Sequence, residues 1–66
     1  MKNKFPRFFK DRDWQSIAFV RIDNDREKGI LFCKNGDRQK SSYNLKMCLC
    51  STVLFEIRES EAVLML

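Results

Sequence analysis

SIAFVRIDNDREKGILFCKNG, residues 16–36, decides the fold, because it sets two apolar runs on either side of a charged, Asx-rich loop and closes on Asn-Gly. Residues 16–23 are rich in β-branched and aromatic side chains, which suit a pleated, half-buried surface better than a helix. With Ile30 to Cys33 as the return strand, the pattern is that of a β-hairpin. Period-2 geometry puts Ile17, Phe19 and Arg21 on one face and Ala18, Val20 and Ile22 on the other. Apolar residues on both faces require cover on both: the core on one, and a helix, partner chain or ligand on the other. Gly29 ends the DNDREKG loop and reads as a positive-φ residue that turns the chain back. Asn35-Gly36 reads as a type I′ turn. It leads into a third strand within Arg38 to Tyr43, whose RQKSSY sequence is that of an exposed edge guarded by Lys and Arg.

Upstream, FPRFFK (5–10) suits a short first strand at the sheet edge, where Pro6 needs no ladder donor. Residues 1–4 are polar and terminal and are expected to fray. Asp11-Arg12-Asp13 is a turn, and Trp14, the only tryptophan, reads as a large core plug. Downstream of Tyr43, Asn44 is an acceptable N-cap. Leu45, Cys48, Leu49 and Thr52 then fall at i, i+3, i+4 and i+7, one stripe of a short helix. The competing reading is a long strand from Leu45 to Ile57, and no Gly or Pro decides between them. Val53 to Ile57 alternates as a last strand with Val53, Phe55 and Ile57 inward. RESEAVLML (58–66) has acids in its first turn and helix formers after them, so a terminal helix is expected. Its last five residues, Ala62 to Leu66, are all apolar and must pack on the sheet or on another subunit. The expected fold class is α+β: one small domain over residues 1–66, with a three- to four-stranded antiparallel meander and one or two short helices on one side, toward the C-terminus.

Sixty-six residues hide only about 60% of the unfolded surface on folding. A core this thin favours self-association, since disulfides and metals are poorly supported here. At 44% hydrophobic and 33% charged, the composition is that of a folded chain, neither disordered nor fibrous. Residues 1–40 carry 11 Lys/Arg against 6 Asp/Glu and residues 41–66 carry 2 against 3, for a net +4. The N-terminal excess points toward an anionic partner, but the interleaved acids dilute it into a solvated mixed-charge surface. No apolar run reaches signal-peptide length or the roughly 18 residues of a membrane span, so a cytoplasmic protein without membrane contact is expected. Three cysteines, Cys33, Cys48 and Cys50, then read as reduced, buried thiols.

Cys48-Leu49-Cys50 is the only spacing that invites a metal. On a helix the two thiols diverge; on a strand they share a face that Cys33 could join, still without a histidine to complete a tetrahedral site. The lack of histidine also removes the usual general base and the Ser-His or Cys-His pair. No catalytic residue, metal site or cofactor is therefore expected, and the chain reads as a non-enzyme. Asp23, Asp25 and Glu27 superficially resemble a calcium loop, but Arg26 intrudes and Lys28-Gly29-Ile30 follow where acidic ligands should continue. Arg21, Lys28, Lys34, Arg38, Lys40 and Tyr43 lie on or beside the hairpin with Phe19 and Phe32 interleaved, the makings of a stacking surface inside a cationic rim. No RNP signature accompanies them, and a small core consumes the same aromatics first. The leading functional expectation is thus a protein–protein interaction module or homodimer, with Val63, Leu64 and Leu66 as candidate interface. The alternative is a weak nucleic-acid-binding protein that uses the hairpin bases.

Taken end to end, PRFFKDRDW, FVRID, GILFCKNGDRQKSSYN and FEIRESEA resemble a pattern seen in very small, uncharacterised bacterial and phage-type β-rich proteins. The resemblance implies a short strand, a hairpin, a Ser-Tyr-Asn entry into a short helix, and a Phe-x-Glu-Ile strand before a Glu-Ala-containing terminal helix. It implies no activity. The chain departs from the pattern at Arg58, where a Ser or Thr cap would stand, so Ser60 is a candidate late start for that helix.

Overall fold

The hairpin forms where its residues predict. In a computed structural model describing residues 5–66, β2 (Ile17–Ile22) and β3 (Ile30–Cys33) pair antiparallel, with Val20 opposite Leu31 and Arg21 opposite Ile30. β1 (Arg7–Asp11) pairs with β2, and β4 (Arg38–Lys40) with β3. After α1 (Leu45–Cys50), β5 (Leu54–Ile57) pairs antiparallel with β1, and α2 (Glu59–Leu64) follows. The result is an α+β fold around a five-stranded antiparallel sheet in the order β4-β3-β2-β1-β5. Five strands replace the expected three or four, and the meander is broken where α1 carries the chain to the far edge. β1, expected at an edge, is therefore interior, with Pro6 lying just before it. The expectation for residues 1–4 falls outside the described residues.

A register irregularity between Ile17 and Phe19 changes the simple alternation of β2. Ala18 joins Phe8, Phe19, Phe32 and Ile57 in one apolar cluster, while Val20 and Ile22 join Phe9 and Leu54 in another. Each cluster has its own helix: Ala62 of α2 closes the first and Cys48 of α1 the second. The helices thus lie on opposite faces and not on one side, as two apolar faces demand. Phe9, Phe19, Val20 and Ile22 are the largest fully buried side chains, each contributing about 1.5–3 kcal/mol by leaving water.

The turns obey a different chemistry from the one expected. Among the described residues only Gly36 has positive φ, at 98°, so Asn35-Gly36 is not a type I′ turn, which needs positive φ at both positions. Instead Gly36 N–H donates to Cys33 C=O at 3.0 Å and Cys33 N–H to Asp37 C=O at 2.8 Å, closing a three-residue loop with one left-handed glycine. Gly29 is present for a steric reason: a Cβ there would lie 2.6 Å from the Arg21 carbonyl oxygen and 2.8 Å from Val20 Cγ2. Its backbone also holds the next segment, donating to Tyr43 C=O at 2.8 Å and accepting from Ser41 N–H at 3.0 Å. β4 therefore ends at Lys40, short of Tyr43, and is the exposed edge expected.

Residues 45–50 are helical, which excludes the long-strand alternative. Asn44 caps α1, its Oδ1 accepting from Met47 N–H at 2.9 Å. The expected stripe is shorter than drawn: Cys48 is buried and Leu45 half-buried, but Leu49 is exposed and Thr52 lies beyond the helix. β5 also differs from its expected alternation, since Leu54 and Ile57 are buried whereas Val53 and Phe55 are exposed. As an edge strand it gives one residue to each core. α2 starts at Glu59, not late at Ser60, because Glu61 Oε1 accepts the Arg58 N–H at 3.1 Å. That contact is the reciprocal half of a capping box and satisfies the cap residue's own N–H, while Arg58 offers the first turn no side-chain acceptor.

Candidate functional site

β2, β3 and β4 bring two of the predicted basic residues to one ring. Arg38 stands opposite Phe32, and Arg21 opposite Ile30 on the same face. The guanidinium carbons of Arg21 and Arg38 each lie 5.0 Å from the Phe32 ring centroid, within cation–π range. Beneath them Phe32 stacks on Phe19 at 5.0 Å and 20°, and Phe8 meets Phe19 edge-on at 5.4 Å. α2 closes the other side, leaving a groove of about 260 Å3 lined by the three phenylalanines, the two arginines, and Glu59, Val63 and Leu66 of the helix and the residues after it.

The two arginines differ in what holds them. Arg21 pairs with Asp23: Nη2 donates to Oδ2 at 3.3 Å, and Nε lies 3.0 Å from Oδ1. That Nε is buried and makes no aligned hydrogen bond, so its contact with Asp23 is an ion pair off the N–H axis. Arg38 is exposed, and among the described residues its side chain touches the Phe32 face without any carboxylate in ion-pair range.

The remaining predicted residues do not converge with this pair. Lys40 shares the sheet face, opposite Ile30, but borders a separate hollow with Lys28. Lys34 is exposed in the β3–β4 turn. Tyr43 lies on the α1 side, against Trp14 at 6.2 Å. Phe19 and Phe32, expected to offer bases a stacking surface, are 2% and 5% exposed; the core has used them. Asp23, Asp25 and Glu27 belong to a solvated loop organised by Asn24, whose Oδ1 accepts from Arg26 N–H at 2.9 Å and Glu27 N–H at 2.8 Å. Of the candidate interface residues, Val63 and Leu66 are each 63% exposed and Leu64 is 86% exposed.

Two features escaped the sequence. Arg7 and Glu56 form a bidentate pair at 2.7 and 2.8 Å, with the Arg7 guanidinium also 5.6 Å from the Phe9 centroid. The Glu56 hydrogen bond raises the Arg7 pKa further above its ordinary value. The pair joins β1 to β5, and only the unreadable β1–β5 register puts them together. Among the cysteines, Cys33 and Cys48 are buried and free as expected, but Cys50 is free and exposed, because residues two apart on the helix α1 point to nearly opposite sides. Burial pushes the Cys48 thiol pKa up, the Arg7 charge opposing it. Among the described residues no cluster of three or more His, Cys, Asp or Glu is arranged to hold a metal, and no helix is long and apolar enough to cross a membrane.

The fold and its surface define a small antiparallel α+β protein with an arginine-rimmed groove on one face. No family model, curated protein or solved structure matches the chain.

Proposed function

We propose that this protein is a non-enzymatic, cytoplasmic interaction module that self-associates through the outer surface of α2. One observation carries the reading: α2 is anchored by Ala62, 1% exposed, yet presents Val63 and Leu64 to water, with Leu66 beyond. Large aliphatic side chains left in solvent forgo about 1.5–3 kcal/mol each, which a second copy recovers. In a two-fold pair such a patch meets itself. A standard interface takes about 800 Å2 per partner, more than a six-residue helix offers, so the pair is weak and concentration-dependent. Light scattering on a dilution series tests it. The scattering mass is expected to rise from 7.9 kDa toward twice that, and Leu64→Glu to stay monomeric; a wild-type mass constant at the monomer value overturns the reading.

A second reading, weak nucleic-acid binding, is favoured by Arg21, Arg38 and Lys40 sharing one face. It loses support from the burial of Phe19 and Phe32. Binding of labelled single-stranded and duplex oligonucleotides that fades with added salt would favour it; none at low salt ends it.

A further inference from the structure

We propose that the groove between α2 and the Phe32 side of the sheet binds a small, apolar molecule carrying a single carboxylate. Size bounds the ligand first. About 260 Å3 lies below the range of roughly 300–1,000 Å3 usual for drug-sized ligands, so one ring with a short acid arm fits, and a nucleotide or a peptide segment does not. The lining sets its character. Phe8, Phe19 and Phe32 form an apolar floor that is only 2–7% exposed, and Val63 and Leu66 are the apolar side chains that stand open to a ligand.

Charge then separates carboxylate from other anions. Arg21 is committed to Asp23, whereas Arg38 has its guanidinium carbon 5.0 Å from the Phe32 centroid and meets no carboxylate among the described residues. A guanidinium held in place on a ring, with its donor fork unspent, matches a planar two-oxygen anion. Glu59 on the helix side brings a negative charge to the same space, which opposes a doubly charged phosphate more than a monocarboxylate. The larger hollow beside Arg7 lacks this chemistry, because Arg7 and Glu56 already satisfy each other there. Leu64 does not line the groove, but Val63 and Leu66 do, so self-association through α2 competes with binding here.

Titration of the 15N-labelled full chain, followed by amide chemical shifts, tests the site with phenylacetate, its neutral isostere phenylacetamide, and inorganic phosphate. A ligand of this size is expected to bind with Kd on the order of 1 mM. Phenylacetate should give saturating shifts centred on Phe32, Arg38 and Val63, while phenylacetamide and phosphate give none that saturate. Arg38→Gln should weaken binding about tenfold, the loss of one charge-assisted contact. Arg38→Lys, which keeps the charge but not the planar fork, serves if Arg38→Gln disturbs β4, and should also weaken it. Leu64→Glu, which stays monomeric, should bind phenylacetate at least as tightly as wild type, so that loss of self-association and loss of the groove are told apart. Absence of saturation with phenylacetate up to about 10 mM, equal binding of the amide, stronger binding of phosphate, or indifference to both Arg38 variants would each overturn the proposal.

Discussion

Gly29 and Gly36 look alike in the sequence and do different work. Gly36 alone has a left-handed φ and open space where a Cβ would go, so Gly36→Ala costs only backbone strain, about 1–2 kcal/mol. Gly29 faces backbone at 2.6 Å, which cannot give way as a flexible side chain would. Gly29→Ala is expected to cost about 2–3 kcal/mol and to lower Tm by roughly 10–20 °C in a domain of this size, as read by thermal circular dichroism. A Tm within a degree or two of wild type contradicts the close approach of loop and β2. Cys48 supplies the pH dependence at this scale. Its thiol pKa is raised from 9.0 by burial, with Arg7 of β1 the opposing charge. The native state therefore keeps a proton that the unfolded chain releases, and stability present below about pH 9 falls as pH climbs from there toward the folded value. Urea unfolding at about pH 8 and pH 10 should show that loss shrinking in Cys48→Ala; an equal alkaline loss in both proteins counts against the buried thiol.

Both helices have six residues, far below the length at which an isolated helix holds in water, so caps and tertiary contacts decide whether they form. Asn44→Ala removes the acceptor for Met47 N–H and is expected to cost about 1 kcal/mol, with the amides of α1 exchanging faster than those of β2. Unchanged exchange across residues 45–50 would mean that packing of Cys48 alone holds the helix. Elements announced by local chemistry were legible in the sequence: the hairpin from its apolar runs, α1 from Asn44 and the position of Cys48, α2 from its acids. β5 was legible as a strand, but its partner was not. Pairing Phe9 with Glu56 joins residues far apart in the chain, and no periodicity encodes that choice. Hence local pattern alone puts β1 at an edge and turns Val53 and Phe55 inward, whereas the β1–β5 ladder makes β1 interior and both residues are exposed. The turn type at Asn35-Gly36 is not encoded locally, because Asn and Gly suit several turns and only the hydrogen bonds choose among them.

Across the whole molecule, the sheet carries an apolar cluster on each face through β1, β2, β3 and β5, and two short helices are too small to cover them. The chain builds two thin cores where a larger protein builds one thick one, and Val63, Leu64 and Leu66 remain outside both. The apolar tail was plain in the sequence, and so was the presence of cationic residues near the hairpin. Their distribution was not: Arg21 and Arg38 meet over Phe32 because β2 and β4 flank β3, while Lys28, Lys34 and Tyr43 go elsewhere through loop paths that composition does not record. The surface of α2 is thus the feature on which the functional account depends. Intermolecular NOEs in an equal mixture of 13C-labelled and unlabelled chains test it most directly. Cross-peaks between copies at the Val63, Leu64 and Leu66 methyl groups are predicted at high concentration. Their absence at concentrations where the scattering mass doubles would contradict the account, because the two copies would then be meeting through another surface.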